Sequence, residues 1–247
     1  MSAGVPNVRV LADCSQNTRC RLATLGFSAG VDFGRLLAGT PLESFFTHSP
    51  FAVLRGIRFE RNLRRDDYAP TLSLLREPLG WPAGAMRVQN LRDGFQAGPD
   101  RMPARVLATS VLLARIAQNH PEAPRLIDGA VLEGNIGGRV AYFEADGLAS
   151  RSADGQICIA EVKSFPKVDD RVDAEQLGSA LDQSAVYVHL TRGAVDRLGG
   201  DADGLVSDRV FLTTPINTGL TPTLSIRRGR PNKASCVPRV PAGFTTC

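Results

Sequence analysis

The spacing of apolar positions changes part-way along the chain. In the first half these positions recur at helical intervals and predict helices over residues 49–65 and 105–118. In the second half, short β-rich runs bounded by turn residues predict strands over residues 126–133, 139–145, 156–162 and 208–214, and a long helix over 174–198. The pattern predicts an α/β fold in which helices flank a mixed central sheet, with a helical elaboration before it.

Local signals define the ends of these elements. Ser49 can cap the first helix and Pro50 suits its first turn. The apolar stripe expected on this helix comprises Phe51, Leu54, Ile57 and Leu63. Residues 66–98 are punctuated by proline and glycine and predict a loop-rich insertion. The tail after Pro222 is predicted to be irregular and basic.

A predicted hairpin brings three charged residues together. Residues 152–155 form a suitable turn between two strands, so that Glu161 returns beside Asp146. Glu161 and Lys163 are two residues apart on one strand and therefore point to the same face. Two neighbouring carboxylates repel each other, and a hard cation such as Mg²⁺ or Mn²⁺ relieves that repulsion. Such a cation supports phosphodiester cleavage, with Asp146 and Glu161 as its ligands and Lys163 as the catalytic amine.

An ordinary structural interpretation of the same residues stays open. Asp146 could cap a turn, and Glu161 and Lys163 could form a solvated pair on an edge strand. The apolar run around Glu161 favours the site, because a charge at the end of a buried strand requires a partner. Gln183 and Tyr187 share one face of the long helix, where they could reach a phosphate or a metal ligand, or lie in an ordinary helix interface.

Residues 142–166 (YFEADGLASRSADGQICIAEVKSFP), followed by Gln183 and Tyr187, resemble the RecB-type branch of the PD-(D/E)xK nuclease superfamily. That branch carries an acidic residue, a hairpin, Glu or Asp-x-Lys, and then Gln-x-x-x-Tyr. The resemblance implies a restriction-endonuclease-like core and a divalent-metal-dependent deoxyribonuclease. It implies, more finely, an exonuclease on single-stranded or end-containing DNA in defence, recombination or repair. Ala145 departs from the family name, which has proline there.

The upstream run Arg55-Gly56-Ile57-Arg58-Phe59-Glu60 resembles the early helix of the same family. By that resemblance Glu60, which replaces the histidine of several relatives, is a further metal ligand or orients the metal. Gln183 and Tyr187 contact substrate or shape the site, and Arg55 and Arg58 are expected to bind substrate. Two other functions remain open: a nucleic-acid-binding assembly subunit with little activity, and an RNA-processing nuclease.

The charge distribution fits a polyanion as partner. Residues 1–65 hold nine arginines and four acidic residues, and residues 205–247 hold six basic residues and one acidic residue. The middle of the chain is acidic, so two basic ends could bind a polyanion beside a cation-collecting centre. An unevenly charged solvated surface is the alternative. We expect one nuclease domain, whose segments are an N-terminal part (1–48), a helical region (49–125), a catalytic core (126–215) and a basic tail (216–247).

Four of the five cysteines lie near the chain ends, at Cys14, Cys20, Cys236 and Cys247, while Cys158 is expected to be buried in its strand. Some RecB-type nucleases, including CRISPR-associated exonucleases and AddB-type helicase–nucleases, hold a [4Fe–4S] cluster between cysteines that flank the core. The resemblance implies such a cluster here, although two cysteines stand on each side instead of one and three. Zinc and free thiols remain open.

The expected partners are DNA and, by the same resemblance, other DNA-processing or CRISPR-type proteins. No run of eighteen apolar residues and no secretory signal is visible, so no membrane span is expected and the cytoplasm is the expected location. His48, His120 and His189 lie far apart in the sequence, and none is assigned a catalytic role.

Overall fold

The structure is a computed structural model that describes residues 31, 33–36, 39–40, 50–84, 86–136, 139–217 and 219–228. The helices in these residues are α1 (Phe33–Leu36), α2 (Pro50–Arg76), α3 (Arg101–Ala117), α4 (Ala174–Arg197) and α5 (Ala202–Leu205). The strands are β1 (Val88–Asn90), β2 (Leu126–Ile136), β3 (Arg139–Ser150), β4 (Ile157–Val162), β5 (Val206–Pro215) and β6 (Pro222–Arg228). The expected α/β class is confirmed.

The strands form one mixed sheet in the order β1-β2-β3-β4-β5-β6. The antiparallel pairing expected for β2, β3 and β4 is confirmed. In addition, β1 is parallel to β2, β5 is parallel to β4, and β6 is antiparallel to β5. A parallel pair requires a crossover, which α4 and α5 supply between β4 and β5. As a result, the carboxyl ends of β4 and β5 meet at one edge, where Val162 pairs with Thr213.

Helices cover both faces of this sheet. Ile157 and Ile159 of β4 belong to the apolar cluster formed with α3 and α4, whereas Cys158 and Ala160 belong to the cluster formed with the second half of α2. Successive side chains of a strand point to opposite faces of the sheet, and on β4 both faces are covered by apolar residues. This explains the continuous apolar run of β4, and the expected burial of Cys158 is confirmed.

Helix α2 is longer than the sequence predicts. The predicted helix ends at residue 65, whereas α2 leaves helical geometry at residues 65–68 and then continues to Arg76. Asp66, which lies within the break, has a positive φ of 50°. Pro70 is accommodated because it lies in the first turn after this break. The break divides α2 into a first half, residues 50–64, and a second half, residues 69–76.

The apolar stripe predicted for the first half of α2 is wrong for most of its members. Phe51, Leu54 and Ile57 are exposed, whereas Leu63 is buried as expected. Phe59, which is not part of the predicted stripe, is also buried. Phe59 and Leu63 are four residues apart and therefore lie on one face of the half-helix.

Two segments predicted to be irregular contain strands. Part of the loop-rich stretch 66–98 forms β1, in which Val88 pairs with Leu126. The tail after Pro222 forms β6, which pairs with β5 along its length. Both are edge strands, and edge strands carry the polar residues and prolines that weaken a strand signal. In the part of the chain described, no helix has both the length and the apolar character that a bilayer crossing demands.

Candidate active site

The site lies where β3 and β4 separate. Their backbone pairing ends at Gly147 and Ala160, and the next step of the same register sets Asp146 opposite Glu161. In place of a further backbone bond, the Val162 N–H donates to Oδ2 of Asp146 at 3.0 Å. The sequence predicts that Asp146 follows the end of its strand, but β3 runs on through it to Ser150. The predicted meeting of Asp146 and Glu161 does not depend on that difference.

Glu161 is a buried carboxylate with one unpartnered oxygen. Only 2% of it is exposed, and its Oε1 accepts from Nζ of Lys163 at 2.6 Å. Its Oε2 is buried and has no hydrogen-bond partner. Burial raises the pKa of Glu161 to about 7; Lys163 opposes this shift, and the Asp146 carboxylate adds to it. A buried anion with a free lone pair favours a cation.

Helix α4 holds Lys163 and the strand beside it. Oε1 of Gln183 accepts a second bond from Nζ of Lys163, at 2.6 Å. The Tyr187 hydroxyl donates to the backbone oxygen of Glu144 at 2.6 Å. Burial raises the pKa of Tyr187, so its hydroxyl remains a donor. Both side chains are buried in this arrangement, and neither is placed for an open contact with a long substrate.

A group that the sequence did not reveal completes the site. The Arg92 guanidinium, just after β1, binds Oδ1 of Asp128 at 3.1 Å and Oδ1 of Asp146 at 3.3 Å. It also pairs with Glu144 on β3. Arg92 lies in the stretch predicted to be a loop-rich insertion. Its position beside the acids depends on the pairing of β1 with β2, which the sequence does not predict. The acidic residues Asp128 and Glu144 offered a signal, since both lie in predicted strands.

Two further cations balance these acids. Nη1 of Arg105, a fully buried residue of α3, lies 2.7 Å from Oε2 of Glu144. Asp128 is also buried, and its Oδ2 accepts from Nε of Arg64 at 2.9 Å and from the Tyr68 hydroxyl at 2.8 Å. These contacts join α2 to β2 and α3 to β3 around the candidate site.

Glu60 lies at the edge of this site. Its carboxylate pairs with Nη2 of Arg64 at 3.1 Å, and it lines a cleft of about 30 Å³ that Asp128 and Asp146 also line. A space of that size suits one water molecule or one bare cation. A larger cavity of about 580 Å³ lies along the second half of α2 and the segment before β1, away from Asp146 and Glu161.

The first half of α2 runs beside the end of β4. A Cβ added to Gly56 would stand 3.7 Å from Oγ of Ser164, the residue after Lys163. Asn62 of the same half-helix donates to the oxygen of Leu220 at 2.8 Å. Arg55 and Arg58 are exposed on this half-helix.

The residues only partly fit a divalent ion as they stand. Among the described residues, no three His, Cys, Asp or Glu side chains already form a set that could hold a metal. Asp146 and Glu161 are adjacent, but Arg92 and Lys163 occupy one oxygen of each. The free Oε2 of Glu161 is the atom that fits a metal, and the donor set of carboxylate oxygens suits Mg²⁺ or Mn²⁺. The predicted cysteine site, Cys14, Cys20, Cys236 and Cys247, lies outside the described residues, as does Ser49.

No protein-family model and no curated protein matches the chain. A solved structure titled "Crystal structure of SSO0001" is similar at 15% sequence identity, covering 68% of this chain and 81% of that chain. Its TM-score is 0.27, which carries no argument about fold or function.

Proposed function

We propose that this protein is a divalent-metal-dependent deoxyribonuclease with a restriction-endonuclease-like core. The observation that carries the proposal is the buried Glu161, which stands opposite Asp146, binds Lys163 and keeps one oxygen without a partner. The order of elements supports it: a helix, a β-meander bearing the acids, and α4 crossing to a parallel β5. A structural salt bridge alone would not require a buried, unsatisfied carboxylate oxygen.

In the proposed site Asp146 and Glu161 would hold the metal, and Glu60, which lines the same small cleft as Asp146, would orient it or serve as a further ligand. The bound ion would polarise the phosphate and make a water molecule more acidic. Glu161 is the residue whose charge state limits binding, since its raised pKa keeps part of it protonated near neutral pH. Loading the site would therefore release a proton from this carboxyl group.

Lys163 is the charge-stabilising group of the proposed reaction. Its ammonium is held by Glu161 and Gln183, both through bonds of 2.6 Å, so its direction is set before substrate arrives. During hydrolysis a water oxygen bonds to phosphorus while the ester oxygen leaves, and negative charge increases on the phosphoryl oxygens. A third N–H of Lys163 remains available to donate to one of them.

DNA with single-stranded segments or ends is the proposed substrate, with Arg55 and Arg58 contacting its phosphates. The assembly-subunit alternative has one observation in its favour, because Arg92 holds Asp146 in an ion pair. A subunit that binds nucleic acid without cleaving it would retain such a pair. An RNA substrate is distinguished by the same experiment.

The test is a cleavage assay with single-stranded DNA, duplex DNA and RNA in Mg²⁺, Mn²⁺ or EDTA. We expect DNA loss that requires the divalent ion and falls at least about a hundredfold in Lys163→Ala and Asp146→Asn. Lys167→Ala is the matched control, because Lys167 pairs with the exposed Asp170 and lies four residues along the same segment. Its activity should stay near that of the parent.

Each alternative has its own outcome. Cleavage that survives both Lys163→Ala and Asp146→Asn would show that the chemistry lies elsewhere. Binding of DNA without cleavage in any metal would favour the assembly subunit, and cleavage confined to RNA would favour the RNA-processing enzyme.

A further inference from the structure

One guanidinium joins three carboxylates of the candidate site. Arg92 contacts Asp128, Glu144 and Asp146 at once, from a segment outside the strands that carry them. Its backbone is held in turn, because its N–H donates to Oδ1 of Asn90 at 2.8 Å. Arg92 is therefore held in place both by its backbone and by the three carboxylates. One of these carboxylates, that of Asp146, is a proposed metal ligand.

The three carboxylates depend on Arg92 to different degrees. Without Arg92, Asp128 would keep its bonds from Arg64 and Tyr68, and Glu144 would keep its ion pair with Arg105. Asp146 would keep a backbone N–H but no cation, since among the described residues its ion pair is with Arg92. Of the three carboxylates, Asp146 is therefore the one that would lose its cationic partner if Arg92 were removed.

Exposure adds a reason why this contact can be exchanged. The side chains of Arg92 and Asp146 are 24% and 26% exposed, so solvent reaches both partners of the pair. Each of the other two ion pairs has one buried partner, since Arg105 and Asp128 are 2% and 6% exposed. An ion pair with solvent access on both sides is weaker than one with a buried partner, and an incoming ion replaces it more readily.

We infer that Arg92 is an exchangeable counter-ion of Asp146. A divalent ion held at Asp146 would displace it, and the released guanidinium would then bind a phosphate group of the substrate. The inference rests on the proposed function, because it requires a metal at Asp146. A guanidinium suits the second role, since its planar fork matches phosphate oxygens as well as it matches carboxylates.

Charge balance supports the same sequence of events. The site holds five carboxylates and four cations: Asp128, Glu144, Asp146, Glu161 and Glu60, with Arg64, Arg92, Arg105 and Lys163. Adding a divalent ion leaves positive charge in excess, and the phosphates of a nucleic acid offset that excess. Metal and substrate should therefore each strengthen the binding of the other.

The test measures Mn²⁺ binding to the full chain by electron paramagnetic resonance, without nucleic acid. Arg92→Gln should bind Mn²⁺ on the order of tenfold more tightly than the parent, because a competing charge has been removed. In the same variant, DNA turnover at saturating Mn²⁺ should fall. Arg92→Lys keeps the charge, so its Mn²⁺ affinity should stay near that of the parent. The matched control is Arg87→Gln, whose arginine pairs with Glu122 away from the site.

The outcomes separate this inference from the proposed function. If the parent binds Mn²⁺ and cleaves DNA but Arg92→Gln has unchanged or weaker Mn²⁺ affinity, the exchange role is overturned and the nuclease stands. If neither the parent nor Arg92→Gln binds Mn²⁺, both proposals fall. Tighter binding by Arg92→Gln with undiminished turnover overturns the phosphate-binding role. Thermal melting of each variant shows whether it is folded.

Discussion

At the scale of single residues, the surroundings of Glu161 act on its pKa in opposite directions. Burial disfavours its charged form and raises its pKa, and the neighbouring carboxylate of Asp146 acts in the same direction. Lys163 favours the charged form through an ion pair, but this does not offset burial. Without a metal the folded protein therefore binds a proton at Glu161 more strongly than the unfolded chain does.

This imbalance makes the stability of the metal-free protein depend on pH. Because the folded-state pKa of Glu161 lies above its ordinary value, its stabilising effect is complete below about pH 4.5 and is lost as pH rises through about 7. We expect the parent in EDTA to lose on the order of 3 kcal/mol of unfolding free energy over that interval relative to Glu161→Gln. Urea denaturation at several pH values measures the difference.

Two further observations bear on that prediction. Mn²⁺ should restore stability to the parent above pH 7 and do little for Glu161→Gln, since a metal favours the ionised carboxylate. Parallel stability curves for the two proteins in EDTA would mean that Glu161 titrates normally and that the argument from burial is wrong.

At the scale of elements, the passage of Arg92 over β2 depends on a glycine. Gly129 has a φ of +69°, and a Cβ added there would lie 2.4 Å from Cγ of Arg92. The Arg105 guanidinium, which bonds to the oxygen of Gly129 at 2.7 Å, is also close. Gly129 therefore gives two arginines room to reach the acids of β3 from one side of the strand.

We expect Gly129→Ala to destabilise the fold by about 1–3 kcal/mol, because it adds both a clash and backbone strain. Gly178→Ala is the matched control: its site on α4 has no atom within 4 Å of an added Cβ. In a helix that change should stabilise by about 0.5–1 kcal/mol. Urea denaturation midpoints measure both effects. An equal gain for the two variants would show that the space at Gly129 is not required.

The elements also show what the sequence could predict. The meander, α3 and α4 follow from periodicity, because each has a long repeating face or an apolar strand core. The pairing of Asp146 with Glu161 follows from the hairpin alone. Arg92 does not, since its role depends on β1 pairing with a strand far along the chain. The sequence does not predict the edge strands β1 and β6, because their burial depends on one neighbouring strand rather than on an apolar pattern of their own.

At the scale of the whole molecule, the arginines near the candidate site fall into two groups. Arg64, Arg92 and Arg105 form ion pairs with the carboxylates of the site. Arg55 and Arg58 are different: they are exposed on the first half of α2, which runs beside Ser164 at the end of β4. Exposed arginines beside the proposed metal site favour long-range attraction of a polyanion toward it.

We expect the double variant Arg55→Ala/Arg58→Ala to bind single-stranded DNA more weakly, with a smaller dependence on salt. Each lost phosphate contact removes roughly 0.7 from the slope of log affinity against log salt, because fewer counterions are released. The measurement is a salt titration of binding in EDTA, which prevents cleavage. Arg115→Ala/Arg197→Ala is the matched control, since these exposed arginines end the helices on the other face of the sheet. If both double variants lower the slope equally, the attraction is a property of net charge and not of α2.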